Sequence, residues 1–356
     1  MNVPHSKPLL DEHETAVAVD IIQRGEISIG PEIEKFERKV AQYIGKKYAV
    51  ACSNGTSALH LALLSLNLKE GDEVILPASV CPGVMHAVEY TNATPVLCDT
   101  NSYDLNPSYE SVCQKLSSNT KAIILPHLFG IPADLNCFKS LNIPIIEDCA
   151  QSLGAKYKGS MTGSLTELSV FSFYATKMMT SIDGGMVLTD HKNLADQMRD
   201  LRYYAGKKDY KKRYNYKMQN INAAIGLVQL DKLNGFLTER KNIFDFLAGA
   251  LTELPGLKIF TTNEAENISS NFKLLLNFTD TRVKNIYLDL CAQFGISTGN
   301  AIFIDLHQFK YGNKDPEIVN LHNHLKSTYA FPIYPGIDMP ILKGFIGDFK
   351  KQVHSL

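Results

Sequence analysis

A lysine follows a strand-like run in the segment SFYATKMMTSIDGG, residues 172–185. Lys177 lies five residues after Ser172 and shortly before two adjacent glycines. A lysine in a loop is usually a solvated charge, but a lysine amine inside a binding site can act as a nucleophile. The residues at the other strand ends therefore decide what Lys177 could do.

Two carboxylates, Glu147 and Asp148, end the apolar run IPII, and Gln151 follows one helical turn later. A carboxylate here is either a buried acceptor of the protein's own hydrogen bonds or the partner of a cationic ring nitrogen. The buried acceptor is the commoner case, and the residues alone leave both interpretations open.

The segment SNGTSALHLALL, residues 53–64, places small polar residues before a helix-forming apolar run. Free backbone N–H groups at Thr56 and Ser57, together with the Thr56 hydroxyl, would suit a phosphate at a helix N-terminus. The alternative is that Ser53 or Asn54 only caps this helix.

These strand ends together predict a site for pyridoxal phosphate. This cofactor needs a lysine that forms an imine, an acid that keeps its pyridine nitrogen protonated, and polar groups that bind its phosphate. Lys177 and Asp148 would be the catalytic residues, and Ser172 would be a second phosphate ligand. The three segments can meet because ligands of open parallel sheets bind beyond the carboxyl ends of the strands.

The first half of the chain alternates apolar runs with helix-forming segments, which predicts an α/β domain. Seven runs read as strands, several of them apolar throughout, and this indicates a largely parallel seven-stranded sheet covered on both faces. The runs are YAVACS, DEVILPAS, TPVLCDT, KAIILPHLF, IPIIEDCA, LSVFSF and GMVLTD.

The second half of the chain is richer in helix-forming segments, notably residues 221–254. Shorter strand-like and helix-like pieces after residue 256 indicate a smaller α+β unit. We therefore expect two domains, a large cofactor-binding α/β domain over 1–235 and a small C-terminal α+β domain over 236–356.

The composition bounds the choice of partners. Lys and Arg number 36 and Asp and Glu 37, so the formal net charge of −1 gives no general attraction to nucleic acid or to a membrane surface. We expect a soluble, cytoplasmic protein with no membrane span. The seven cysteines are scattered without a CxxC pair, so we expect no metal site.

The chain resembles the DegT/StrS family of sugar aminotransferases, which have the aspartate-aminotransferase fold, called fold type I of the pyridoxal-phosphate enzymes. The resemblance runs along nearly the whole chain. It rests on the segments ISIGPEIEKFE, SNGTSALHLAL, GDEVILP, ATPVLCDT, PHLFGIPADLN, IIEDCAQSLGAKYKG, FSFYATK, YNYKMQNINAAIGLVQLDKL and FPIYPGI.

The resemblance implies a role for each matching residue. Lys177 would carry the cofactor, Asp148 would pair with its ring nitrogen, and Gln151 would contact its phenolic oxygen. The implied phosphate ligands are Thr56, Ser57 and Ser172.

Three further residues follow from the resemblance. Asn215 would reach the cofactor phosphate of the neighbouring subunit, so a homodimer with shared active sites is implied. Lys217 occupies the place of the family's usual arginine, which keeps the charge but loses the bidentate fork. His307 falls where family members often carry a histidine near the substrate, and it could equally be a packed histidine.

Two positions depart from the family pattern. Cys81 stands where family members commonly have an aromatic residue that stacks on the cofactor ring. Residues 182–185, IDGG, replace the family's glycine-glutamate-glycine-glycine, so the acid Asp183 is one methylene shorter.

The basic run GKKDYKKRYNYKM, residues 206–218, allows three interpretations: a nucleic-acid groove, a surface for the diphosphate of a nucleotide sugar, or a solvated loop. The neutral net charge weighs against the first.

The predicted function is transfer of an amino group, from glutamate, to the keto group of a nucleotide-linked sugar by a ping-pong mechanism, with Lys177 bound to the cofactor as an imine. A sugar dehydratase of the same family is an alternative, but such enzymes typically have histidine in place of the lysine. A non-catalytic regulatory or binding protein on the same scaffold is a third possibility.

Overall fold

The computed structural model describes residues 2–262, 266–301 and 304–356. These residues form the strands β1 (Tyr48–Cys52), β2 (Glu73–Pro77), β3 (Thr94–Cys98), β4 (Thr120–Pro126), β5 (Ile145–Asp148), β6 (Lys156–Tyr157), β7 (Ser160–Met161), β8 (Leu168–Ser172), β9 (Gly185–Thr189), β10 (Leu257–Phe260), β11 (Lys273–Phe278), β12 (Gly299–Asn300) and β13 (Thr328–Pro332).

The same residues form the α-helices α1 (Glu12–Arg24), α2 (Pro31–Ile44), α3 (Gly55–Ser65), α4 (Pro82–Glu89), α5 (Tyr109–Lys115), α6 (Leu135–Lys139), α7 (Lys192–Arg202), α8 (Asn220–Leu251), α9 (Thr281–Gln293), α10 (Leu306–Tyr311), α11 (Val319–Ser327) and α12 (Met339–His354). A single 3₁₀ turn, Leu128–Gly130, follows β4.

The large sheet has seven strands in the order β1-β9-β8-β5-β4-β2-β3. Six of the seven predicted runs contain one of these strands whole, and β4 begins one residue before the seventh run, KAIILPHLF. Strand β9 is antiparallel to both of its neighbours, whereas the remaining pairs are parallel. The prediction of an α/β fold with a mostly parallel seven-stranded sheet is confirmed.

Helix α2 shows how the sequence sets an element. It begins at Pro31, whose missing N–H is no loss in the first turn, and it ends before Gly45, which adopts a left-handed φ of 89°. Its buried residue Phe36 packs 5.0 Å from Phe173, measured between ring centroids. A Cβ on Gly226 of α8 would lie 2.8 Å from the Phe36 ring, so this glycine permits the close packing of α2 on α8.

Helix α8 is the long helix expected near residues 221–254, and it runs without interruption past residue 235. Beyond it, β10, β11, β13 and β12 form a four-stranded antiparallel sheet. A second buried cluster lies here, around Tyr287 and Phe345. The division at residues 235 and 236 stays a prediction.

No helix within the described ranges is both long enough and apolar enough to cross a membrane.

Candidate active site

Strand direction brings the site residues predicted at the ends of β1, β5 and β8 to one edge of the large sheet. Every strand of that sheet except β9 ends at this edge, and Gly185 at the start of β9 pairs with both Cys52 and Ser172. The turn after β1 and the loop after β8 therefore lie side by side.

The contacts between these two segments are close. A Cβ on Gly55 would lie 3.2 Å from Ser172 Oγ, and a Cβ on Gly185 would lie 2.2 Å from the carbonyl oxygen of Asn54. A Cβ on Gly83 would lie 2.7 Å from Thr56 Oγ1. These glycines leave the Thr56 and Ser172 hydroxyls at the N-terminus of α3, where an anion is favoured.

The backbone N–H of Ser57 was expected to be free, and this expectation is wrong. Asn54 caps α3, and its Oδ1 accepts the Ser57 N–H at 2.8 Å. The Ser57 side chain is buried, with Oγ 3.1 Å from Ser53 Oγ. The N–H of Thr56 makes no hydrogen bond within the described residues, so Thr56 is the better placed phosphate donor of the two.

The adjacent acids at the end of β5 have opposite surroundings, because successive side chains of a strand point to opposite faces. Glu147 is fully buried and accepts the N–H groups of Gly163, Leu165 and Thr166 at 2.7–2.9 Å. Its Oε2 also lies 3.1 Å from His127 Nε2. Burial by itself would raise the pKa of Glu147, but His127 and these donors hold it below its ordinary value. Glu147 is thus the structural acceptor.

Asp148 accepts one hydrogen bond within the described residues, from the Ala150 N–H at 3.0 Å. Burial raises the pKa of Asp148, although the Ala150 N–H and the neighbouring Lys177 and His127 side chains oppose this. Within the described residues the Asp148 carboxylate contacts one donor and no cation. It is therefore available to pair with a cationic ring nitrogen.

Lys177 lies near Asp148 and Cys81. Burial lowers the pKa of Lys177, and the two neighbouring groups partly oppose that shift. Its Nζ lies 5.8 Å from the ring centroid of Phe272. A lowered pKa increases the fraction of the neutral, nucleophilic amine at neutral pH.

Sequence reasoning missed Phe272. This residue precedes β11 and reaches the site because Ser270, just before it, is bonded to the loop after β5. The Ser270 Oγ donates to the Gln151 carbonyl at 3.1 Å, and its N–H donates to the Gly130 carbonyl. No local pattern in the sequence indicates such a long-range contact.

Gln151 is anchored through its side-chain oxygen, which accepts the Phe129 N–H at 2.7 Å. Its amide nitrogen makes no hydrogen bond within the described residues and can donate to an oxygen in the site.

Asn215 lies on a short extended segment that pairs with Tyr203 on one side and with the end of β1 on the other. Its backbone bridges to Tyr203, and Lys217 bridges to Cys52. The Asn215 side chain is exposed, whereas Lys217 Nζ donates to Ser28 Oγ at 3.0 Å and lies 5.0 Å from the Tyr203 ring centroid.

His307 belongs to the first turn of α10, and its contacts are local. Its Nδ1 lies 2.9 Å from the Asn313 carbonyl, and its ring centroid lies 4.7 Å from that of Tyr311. None of these contacts joins His307 to another predicted site residue.

Of the two departures from the family pattern, Cys81 lies near the lysine. Cys81 is exposed at the start of α4. Ile182 adopts a φ of 69°, a left-handed conformation rare for a β-branched residue. Burial raises the pKa of Asp183, and the Gly184 N–H opposes this.

Three buried side chains, His127, Glu147 and Cys149, are close enough to hold a metal ion. The lone pairs of two of them are already used, since Glu147 accepts several donors and His127 Nδ1 accepts the Ala133 N–H at 3.0 Å. His127 therefore carries its proton on Nε2, facing Glu147. This cluster is a hydrogen-bonded support for β5.

The arrangement fits pyridoxal phosphate in three respects. Asp148 is a half-buried carboxylate without a cationic partner in contact among the described residues, Lys177 is an amine of lowered pKa, and the Thr56 and Ser172 hydroxyls lie together at the start of α3. These are an acid, an amine and a phosphate cradle at one edge of the sheet.

The chain belongs to the DegT/DnrJ/EryC1/StrS aminotransferase family, whose sequence profile matches residues 8–339. Pyridoxal phosphate is the cofactor that this membership implies. The chain is 41% identical over 227 residues to a GDP-perosamine synthase of Escherichia coli O157:H7, covering 61% of this chain and 62% of that protein, which is under two thirds of its length. It is 37% identical over 259 residues to a GDP-perosamine synthase of Caulobacter vibrioides, covering 69% of each.

Solved structures share the fold. The aminotransferase TlmJ from Streptoalloteichus hindustanus superposes with a TM-score of 0.92 at 25% identity, covering 99% of each chain. DesV of S. venezuelae gives a TM-score of 0.89 at 27% identity, covering 98% of this chain and 99% of that one. The fold is that of the fold type I aminotransferases.

Proposed function

We propose that the protein is a pyridoxal-phosphate aminotransferase that moves an amino group from L-glutamate to a keto group of a nucleotide-linked sugar. The observation that carries this proposal is the placement of the Lys177 amine near the Asp148 carboxylate at the edge of the sheet, beside the N-terminus of α3. The names of the E. coli and Caulobacter relatives support a nucleotide-linked sugar as the acceptor.

When bound, pyridoxal phosphate supplies an electron-withdrawing ring and a carbon that carries the transferred nitrogen. Asp148 would hold the proton on the ring nitrogen, and Gln151 would donate its amide N–H to the phenolic oxygen. Lys177 Nζ would accept the proton from the substrate Cα and deliver it in the reverse half-reaction. Because the nitrogen from glutamate would stay with the cofactor while 2-oxoglutarate leaves, glutamate and the keto sugar would react in turn.

Thr56 and Ser172 would bind the cofactor phosphate through their hydroxyls, with Ser57 behind them supporting the turn. Lys217 and His307 are the residues that we assign, by position in the family, to the substrate.

The first test is the absorption spectrum of the purified protein. We expect a near-ultraviolet or visible band of the lysine-bound cofactor that glutamate removes. Lys177→Ala should abolish this band, whereas Lys343→Ala, at an exposed position in α12, should keep it. A band that survives glutamate and is the same in Lys177→Ala would contradict the proposal.

The second test identifies the product. Incubation with a panel of nucleotide-linked keto sugars, beginning with GDP-linked compounds, should give a product carrying a new amino group in the mass spectrum. A deoxygenated product would favour the sugar dehydratase instead.

We also propose that Asn215 completes the phosphate site of the partner subunit in a homodimer. Its exposed side chain supports this, because it is not engaged with its own chain's site. Asn215→Ala should weaken cofactor retention by roughly 1.5–3 kcal/mol if the bond is charge-assisted, which is about 10- to 100-fold in affinity.

A mixing experiment tests the sharing of sites. Lys177→Ala and Asn215→Asp subunits should each be inactive alone, and a mixed dimer should contain one intact site, so mixing restores activity. If Asn215 serves its own subunit, every site keeps one defect and no activity returns. Subunit exchange is measured separately with differently tagged chains.

A further inference from the structure

The structure divides the basic run at residues 206–213 into two sets of side chains. The odd-numbered set is anchored to the body of the protein. Lys207 and Lys211 lie 2.7 and 3.1 Å from the two Asp200 oxygens, and Arg213 Nε lies 3.1 Å from Asp200 Oδ1. Arg213 also pairs with Asp209 at 2.8 Å.

The even-numbered set makes no such contacts among the described residues. Lys208, Tyr210 and Lys212 are exposed, and within the part of the chain that the structure describes they make no ion pair or hydrogen bond. The Tyr210 ring is fully exposed to solvent.

The charge follows the same division. Asp200 and Asp209 offset most of the charge of the anchored set, so the positive charges of Lys208 and Lys212 stand without acidic neighbours in contact. The anchoring also holds the segment in place, which reduces the ordering that a ligand would have to impose.

We propose that Lys208, Tyr210 and Lys212 form a binding face for the nucleoside diphosphate part of the substrate. The two ammonium groups pair with the phosphates, and the tyrosine ring stacks on the base. Lysine ammoniums and exposed aromatic rings are the groups that recognise phosphates and nucleobases. The assignment rests on the proposed function, because it gives the nucleotide-linked sugar its contact residues.

The position of this face agrees with that role. The chain runs from Lys212 directly into the extended segment that carries Asn215 and Lys217, so the face is continuous with residues assigned to the cofactor and the substrate. Lys212 is also near enough to His60 of α3 to lower the pKa of that histidine, although burial is the larger cause. The first turn of α3 carries Thr56, a predicted phosphate ligand, so the same helix contacts both the proposed face and the predicted phosphate site.

The test is calorimetric titration of the purified holoenzyme with GDP and with UDP. The double variant Lys208→Ala/Lys212→Ala should bind the diphosphates about 5- to 30-fold more weakly at low ionic strength, since two contacts to charged groups are lost. The matched control Lys343→Ala/Lys351→Ala removes two exposed lysines of α12 and the same net charge, and it should bind as the wild type does. Lys208→Arg/Lys212→Arg should restore most of the affinity.

Tyr210 gives a second readout. Tyr210→Ala should weaken binding of both nucleotides about 5-fold or more, whereas Tyr210→Phe should retain it, because stacking needs the ring and not the hydroxyl. Thermal unfolding of each variant verifies that the fold is intact.

Several results would overturn the assignment. These are a wild-type protein that binds neither nucleotide, an unchanged affinity in the double alanine variant, and an equal loss in the α12 control. Tighter binding of a single-stranded oligonucleotide than of GDP, lost in the same variant, would make this a nucleic-acid surface. The proposed function is tested separately by the glutamate-dependent loss of the cofactor band in the wild type, which needs no nucleotide.

Discussion

Neutral substitutions at the adjacent acids of β5 should have opposite effects, although both remove one carboxylate charge. Glu147→Gln should destabilise the protein and Asp148→Asn should not. The difference arises because Glu147 is fully buried among several donors, whereas Asp148 accepts one N–H, from Ala150.

The magnitude for Glu147→Gln follows from its contacts. A glutamine keeps one oxygen, which can serve the Leu165 and Thr166 N–H groups, so its NH₂ must face the donors at Oε2, the Gly163 N–H at 2.7 Å and His127 Nε2 at 3.1 Å. His127 cannot move its proton from Nε2 to Nδ1, because Nδ1 already accepts a backbone N–H. Two hydrogen bonds to a charged group are lost, which costs roughly 3–6 kcal/mol in the free energy of unfolding.

For Asp148→Asn, the amide oxygen can keep the bond from the Ala150 N–H. The pKa of Asp148 is raised by burial, so above that pKa the folded state bears a cost for the charge that the unfolded state does not. Removing the charge should leave the stability of the cofactor-free protein unchanged or increased at pH 7. Transamination should nonetheless be lost, since asparagine cannot stabilise a protonated ring nitrogen.

Urea unfolding of the cofactor-free variants, followed by circular dichroism, measures the first effect, and the glutamate half-reaction measures the second. The deficit of Glu147→Gln should narrow in acid. The pKa of Glu147 is lowered in the folded state, so its contribution to stability is present above the ordinary carboxyl pKa and is lost as the pH falls through the folded value. Equal destabilisation by both substitutions, or a larger loss with Asp148→Asn, would refute this reasoning.

Three further outcomes are expected. Ile182→Gly should raise the free energy of unfolding in urea by roughly 0.5–1 kcal/mol, because relief of the left-handed φ of 69° exceeds the entropy that glycine loses; an unchanged or lower value would contradict this. Asp148→Asn should shift the pH midpoint of pyridoxal phosphate rebinding to cofactor-free protein downward, since Asp148 raises the pKa of Lys177 against the lowering by burial; an upward shift would contradict it. Gly130→Ala should cost roughly 2–4 kcal/mol in urea unfolding, because its φ is 85° and the new Cβ would lie 2.2 Å from Ser270 Oγ; a loss below about 1 kcal/mol would show that the Ser270 segment gives way.

The pattern of apolar runs determined the large sheet and the place of the predicted site residues. Buried parallel strands read as short apolar runs with polar residues at their ends, so the sequence by itself assigns Asp148, Ser172 and Lys177 to one edge. The family segments in the same order along the chain then specified the fold and the cofactor.

Tertiary structure decided the roles of neighbouring residues. Whether Glu147 or Asp148 is the structural acceptor depends on which face of β5 meets His127 and the Gly163 turn. The sequence likewise leaves open whether the Ser57 N–H binds a phosphate or is used in capping α3. In the structure Asn54 caps the helix and accepts that N–H.

Long-range contacts were beyond sequence reasoning altogether. Phe272 reaches Lys177 because Gly130 has no side chain and lets the Ser270 segment approach. The division of the basic run into paired and unpaired lysines depends on Asp200, which lies on another element. A sequence states which residues can interact, but the packing of distant segments decides which of them do, because such contacts follow from the whole fold and carry no local period.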